Sequence, residues 1–161
     1  MKKILISAAA ILTIAVPIGN AIAQPTKVTS NFARITNFSE FPKGIRHMST
    51  LRHTLKITIS EQSNGVSKIM IEAPDNIKLN DNIDVSNQSG EKINAEINID
   101  DKKKATLTFS EPVPPGTKLT IEMNKVRKLR ATRGEMLYKV FANFVDSNQA
   151  VPVGIARLRV N

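Results

Sequence analysis

The stretch that decides the fold reads Met136-Leu137-Tyr138-Lys139-Val140-Phe141-Ala142-Asn143-Phe144. Met136, Tyr138, Val140, Ala142 and Phe144 share one parity, and a period of two puts them on a single face of a strand. Working outward, the same alternation recurs. Leu119, Ile121 and Met123 alternate with Thr120 and Glu122, and Ala105, Leu107 and Phe109 with Thr106 and Thr108. Ile93, Ala95, Ile97 and Ile99 form another row, and Leu55, Ile57 and Ile59 another. Ile69-Met70-Ile71 is denser, Ile83 and Val85 make a short piece, and Val153 to Val160 closes the chain. Turn residues separate the rows: Asn64-Gly65, the polar loop Ser86 to Lys92, Asp100 to Lys104, Pro112-Val113-Pro114-Pro115-Gly116 and Asp146-Ser147-Asn148. Proline pre-sets φ and glycine supplies positive φ at such places. The pattern predicts an all-β chain, a single immunoglobulin-like two-sheet antiparallel sandwich of about seven to eight strands. A small barrel is the alternative. Residues 75–82 are expected to hold at most a short helical turn.

The N-terminus has a different character. Met1-Lys2-Lys3 precedes an apolar run from Ile4 to Ile18, and Ala21-Ile22-Ala23 has the small-x-small form of a signal-peptidase site. A signal peptide over 1–23 is expected, with Gln24 opening the mature chain. An uncleaved anchor is the alternative, for which the apolar run is short. Residues 24–50 are expected to be an irregular segment with a candidate leading strand at 30–35 and a loop at Phe41-Pro42-Lys43-Gly44. The sandwich is then expected over 51–161. No later segment approaches the roughly 20 apolar residues of a membrane span. The expected location is the periplasm, cell surface or extracellular space.

The chain of 161 residues suits one domain, and 41% apolar residues suffice for a core. It has no Cys, which excludes a disulfide framework, a thiolate metal site and a cysteine nucleophile. Lys and Arg number 23 against 14 Asp and Glu, a formal charge of +9. Much of the excess is local. Lys125, Arg127, Lys128, Arg130 and Arg133 lie within one carboxylate-free stretch, and Lys102, Lys103 and Lys104 form a second cluster at an expected hairpin tip. Such clusters suit an acidic polysaccharide, an anionic lipid surface or an acidic protein, and serve equally as solvated loops that maintain solubility. Nucleic acid is a poor partner because stacking aromatics are missing near these loops.

A copper-binding alternative rests on His47, Met48 and His53, since imidazole and thioether suit that metal. Arg46 and Arg52 beside them disfavour a cation, and surface or edge histidines are the plainer reading. No Gly-x-Ser-x-Gly elbow exists, and Glu61, Glu72, Asp75, Asp81 and Asp84 are scattered without the spacing of a calcium loop. Neither an enzyme nor a bound cofactor is expected.

The segment Ala105 to Met123, with its strand, its Pro112-Val113-Pro114-Pro115-Gly116-Thr117 turn and its second strand, resembles the cyanobacterial exported domain-of-unknown-function family twenty-eight-oh-eight. His53 to Ile59 is similar to the family's first strand, Leu137 to Ala142 to its aromatic strand, and Val153 to Val160 to its closing Gly-x-x-Arg-Leu strand. The chain departs from the family at Val126 to Arg130, where Lys128-Leu129 stands in place of Asn-Pro. The resemblance implies export and a β-rich domain, and carries no functional residues. Phe109 to Val113 and Tyr138 to Ala150 are also similar to periplasmic copper-carrier sandwiches. Those carriers place His in the loop that here reads Asp146 to Pro152, and at the mature N-terminus, here Gln24. Together these readings lead us to expect an exported, non-enzymatic binding or interaction protein, with a copper carrier as the alternative.

Overall fold

The computed structural model describes residues 32–43, 50–130 and 134–160. The expected signal peptide and the 24–31 segment lie outside them. Ten strands follow in order: β1 (Ala33–Phe41), β2 (Thr50–Ile59), β3 (Val66–Glu72), β4 (Ile77–Lys78), β5 (Ile83–Ser86), β6 (Ala95–Asp100), β7 (Lys104–Val113), β8 (Lys118–Lys128), β9 (Gly134–Phe144) and β10 (Val151–Val160). One sheet has the order β1-β2-β8, with both β4 and β5 on the far side of β8. The other has the order β10-β9-β3-β7-β6, and every pairing is antiparallel.

The alternation read in the sequence is the one that packs. Leu55, Ile57, Ile59, Leu119 and Ile121 from the first sheet, and Ile71, Leu107, Met136 and Val140 from the second, are buried in one core. Each such side chain contributes about 1.5–3 kcal/mol by leaving water. Gly65, at φ +85°, turns the chain between β2 and β3, where an added Cβ would stand 3.0 Å from the Val113 carbonyl oxygen. The proline turn ends with Gly116 at φ +77°, and Thr117 Oγ1 donates to the Pro114 carbonyl at 2.7 Å.

Three features differ from expectation. The leading strand is β1, and it runs on to Phe41 instead of stopping at Ile35. Residues 75–82 hold no helical turn: a turn closed by Ile77 N–H to the Pro74 carbonyl leads into β4. The strand count is ten because the leading strand β1 and the short edge piece β4 join the eight rows read from the sequence. Among the described residues no helix is long and apolar enough to cross a membrane.

The break between β4 and β5 has a cause on the neighbouring strand. Leu51 pairs Val126 while His53 pairs Met123, so β8 carries one extra residue at Asn124-Lys125. This is a β-bulge, and Lys125 sits in it at φ +54°. β5 pairs β8 up to Met123 and β4 pairs it again from Arg127, leaving residues 79–82 unladdered beside the bulge.

Candidate functional site

The gap in that edge forms a cleft of about 370 Å³ lined by Lys78, Leu79, Asn80, Asp81, Ile99, Lys102, Lys125 and Arg127. Three parts of the chain bring its cations together. Arg127 on β8 pairs Lys78 on β4 directly across the ladder. Like charges opposed in this way are destabilising. Lys125 is exposed, at the bulge. Lys102 comes from the β6–β7 hairpin of the other sheet, whose turn lies against the gap because Leu79 N–H donates to the Lys102 carbonyl at 2.7 Å. Asp101 and Lys102 both have positive φ, 46° and 58°, the signature of a primed hairpin turn that normally takes Asn or Gly. Two of the four cations therefore occupy left-handed backbone positions that disfavour a lysine.

Among the described residues Lys78, Lys102, Lys125 and Arg127 have no ion-pair partner. Their neighbours differ. Lys103 lies 2.7 Å from Asp75, and Lys104 lies 4.0 Å from Glu72. The hydrogen bond and charge of Lys103, with a smaller effect of Arg130, hold the Asp75 carboxyl below the usual carboxylate range. Arg133 lies outside the described residues. The structure thus gathers Lys102, Lys125 and Arg127 of the sequence candidates and adds Lys78, which stands alone in the sequence and gave no signal.

Lys128 requires a correction. It is not a surface cation: its side chain is fully buried, with Nζ 2.7 and 3.0 Å from the two carboxylate oxygens of Glu40. The bulge explains this. Leu119, Ile121 and Met123 face inward on odd positions, and the extra residue shifts the inward set to Val126 and Lys128.

His53 requires another correction. It is a core residue, in phase with Leu51, Leu55 and Ile57, with 0% exposure. Its Nε2 lies 3.1 Å from Glu40 Oε2 and its Nδ1 2.7 Å from the Tyr138 hydroxyl. With Glu40 ionised, the network assigns the ring proton to Nε2 and makes the phenol the donor to Nδ1. Both nitrogens are engaged, so this ring offers nothing to copper. His47 and Met48 lie outside the described residues. Among the described residues no group of three or more His, Asp or Glu side chains is placed to hold a metal.

Glu40, His53 and Lys128 come from the first sheet and Tyr138 from the second, so the network pins the two sheets together. Phe38 closes over it, with its ring centroid 4.9 Å from that of Tyr138 and 5.8 Å from that of His53. Burial pushes the Glu40 carboxyl up, but hydrogen bonds from His53 and Lys128 and the Lys128 charge outweigh it and hold the carboxyl below its ordinary value. Burial, with a smaller effect of the Glu40 charge, raises Tyr138 well above the usual phenol range. Exposures of 0–5% seal all four side chains from any substrate.

A second cleft, of about 430 Å³, lies between the 87–94 loop and the proline turn. It carries one lysine, Lys92, and one carboxylate, Glu111, and no concentration of charge.

The fold defines an immunoglobulin-like two-sheet sandwich. Known structures of the same architecture include the C-terminal fragment of the major pilin GBS80 of Streptococcus agalactiae, with TM-score 0.52, 11% identity, and coverage of 80% of this chain and 56% of that one. The major pilin subunit BcpA of Bacillus cereus gives TM-score 0.52 at 11% identity, covering 80% and 38%. BslA, a bacterial hydrophobin, gives 0.51 at 12% identity, covering 81% and 95%. At such identities the likeness is one of fold. The chain belongs to the family described as protein of unknown function (DUF2808), which matches residues 27–157. Proteins of curated function give no match to the sequence.

Proposed function

We propose that this is an exported, non-enzymatic interaction protein of the periplasm or cell surface, whose basic cleft binds an acidic polysaccharide of the cell envelope. The observation that carries the reading is the convergence of Lys78, Lys102, Lys125 and Arg127 on one gap in a sheet edge, with no ion-pair partner among the described residues. An anion entering the gap would offset the Lys78–Arg127 repulsion, and Arg127 offers a planar fork for bidentate contact. The small-x-small pattern at Ala21-Ile22-Ala23 supports export, and major pilins among the proteins of like fold fit a place outside the cytoplasm.

The test is retention on immobilised polygalacturonate at about 0.05 M and about 0.5 M salt, a range across which screening removes most surface attraction. The wild-type protein is expected to be retained at low salt and released at high salt. The Lys102→Glu/Lys125→Glu/Arg127→Glu variant is expected in the flow-through at both. Equal retention of the two proteins would overturn the proposal. Retention of the wild type on anionic vesicles alone would move the partner to a lipid surface.

A further inference from the structure

The cleft is not uniformly basic, and the exception is informative. Asp81 lines it, is exposed, and has no ion-pair partner among the described residues. Nearby Asp84 differs, since Lys92 and Asn124 already engage it at 3.5 and 3.1 Å. A site shaped only to hold phosphate or sulfate esters loses from a carboxylate at its wall, because each anion is repelled by it. A carboxylate is, however, the strongest acceptor a protein offers to a hydroxyl group. Cations beside one free carboxylate suit a ligand that carries an anion and hydroxyl donors on adjacent carbons.

We infer that the unit recognised in the cleft is a uronate sugar, its carboxylate held by Arg127 and the neighbouring lysines and its ring hydroxyls donating to Asp81. The inference rests on the basic-cleft reading of the preceding section and names its ligand. Leu79 and Ile99 supply a short apolar floor between the charged walls, suited to the C–H face of a pyranose ring. At about 370 Å³ the space is within the range of small-molecule sites. The unusual backbone also fits. The bulge that carries Lys125 and the primed turn that carries Lys102 aim two lysines at the gap from opposite sheets, and bulges commonly re-aim a side chain at a binding site.

The deciding experiment uses the sign of one substitution. Binding of oligogalacturonate and of dextran sulfate is measured for the wild type, Asp81→Ala and Asp81→Asn. Asp81 makes no side-chain hydrogen bond or ion pair with the described residues, so thermal melting is expected to be unchanged and serves as the folding control. Asp81→Ala is expected to weaken oligogalacturonate about ten- to hundredfold, the size of a lost charge-assisted hydrogen bond. It is expected to tighten dextran sulfate, with Asp81→Asn between the two. Tightening of both ligands, or no change in either, would overturn the uronate assignment and leave the basic cleft as a charge-only site. Binding of neither ligand to the wild type would overturn the cleft reading itself, and this inference with it.

Discussion

Arg127 and Lys128 are neighbours in the chain and opposites in the fold. Arg127 stands on the surface, across from another cation and without a carboxylate partner among the described residues, in a cleft whose walls include two lysines of positive φ. Lys128 is buried, held by a carboxylate that is itself held by a histidine and, through it, a tyrosine of the opposite sheet. The contrast teaches that a run of basic residues is not one feature. One member, Lys128, holds the sandwich closed, while another, Arg127, faces outward with no ion-pair partner among the described residues.

Breaking the buried side has the largest expected effect. Lys128→Ala strands the Glu40 carboxylate in the core and is expected to cost about 3–5 kcal/mol in urea unfolding. Arg127→Ala is expected to stay within about 0.5 kcal/mol of the wild type. A double variant, Glu40→Leu with Lys128→Met, is expected to recover most of the loss, since an apolar pair replaces a buried ion pair at little cost. The pair also has an acid signature. Because the folded-state carboxyl of Glu40 lies below its unfolded value, its contribution is complete above about pH 4.3 and is lost as pH falls through the folded value. Glu40→Gln is expected to flatten that part of the stability curve.

Next comes the link between the sheets. Tyr138→Phe leaves His53 Nδ1 buried without its partner, at an expected cost of about 1–3 kcal/mol. Tyr138 is the only tyrosine in the chain, so alkaline titration followed at the phenolate absorption band reports it alone. A raised folded-state value means stability is complete below about pH 10 and is lost as pH rises through that value. Phenolate absorption is therefore expected to appear together with unfolding, well above pH 10, and an ordinary titration near 10 in the folded protein would contradict the buried network.

The smallest effect sharpens the exposed side. Lys125→Gly removes a side chain from a left-handed position and is expected to stabilise the fold by at most about 1 kcal/mol while weakening binding to polygalacturonate. A protein that becomes more stable and binds as well as before would show that Lys125 is placed there by chance.

The periods of two along β2, β7, β8 and β9 were legible because one face of each strand had to leave water. His53 was legible too, in phase with the buried Leu51 and Leu55 on one face of β2. Glu40 gave little warning, since it closes a strand whose own register shifts between Ile35 and Asn37. The β8 bulge had one trace in the sequence, the move of apolar residues from odd positions up to Met123 to an even one at Val126. Lys78 had none.

The amino-acid sequence by itself determined a sandwich of antiparallel strands, because alternation and turn chemistry are local and repeat along the chain. It also determined that positive charge is concentrated near residues 102–104 and 125–133. Which of those charges face water was decided only by tertiary structure. A single inserted residue in β8 reverses the parity of everything after it, and the other sheet supplies both the tyrosine that completes the buried network and the lysine that completes the cleft. Side-chain direction depends on register, and register is set by the strands alongside.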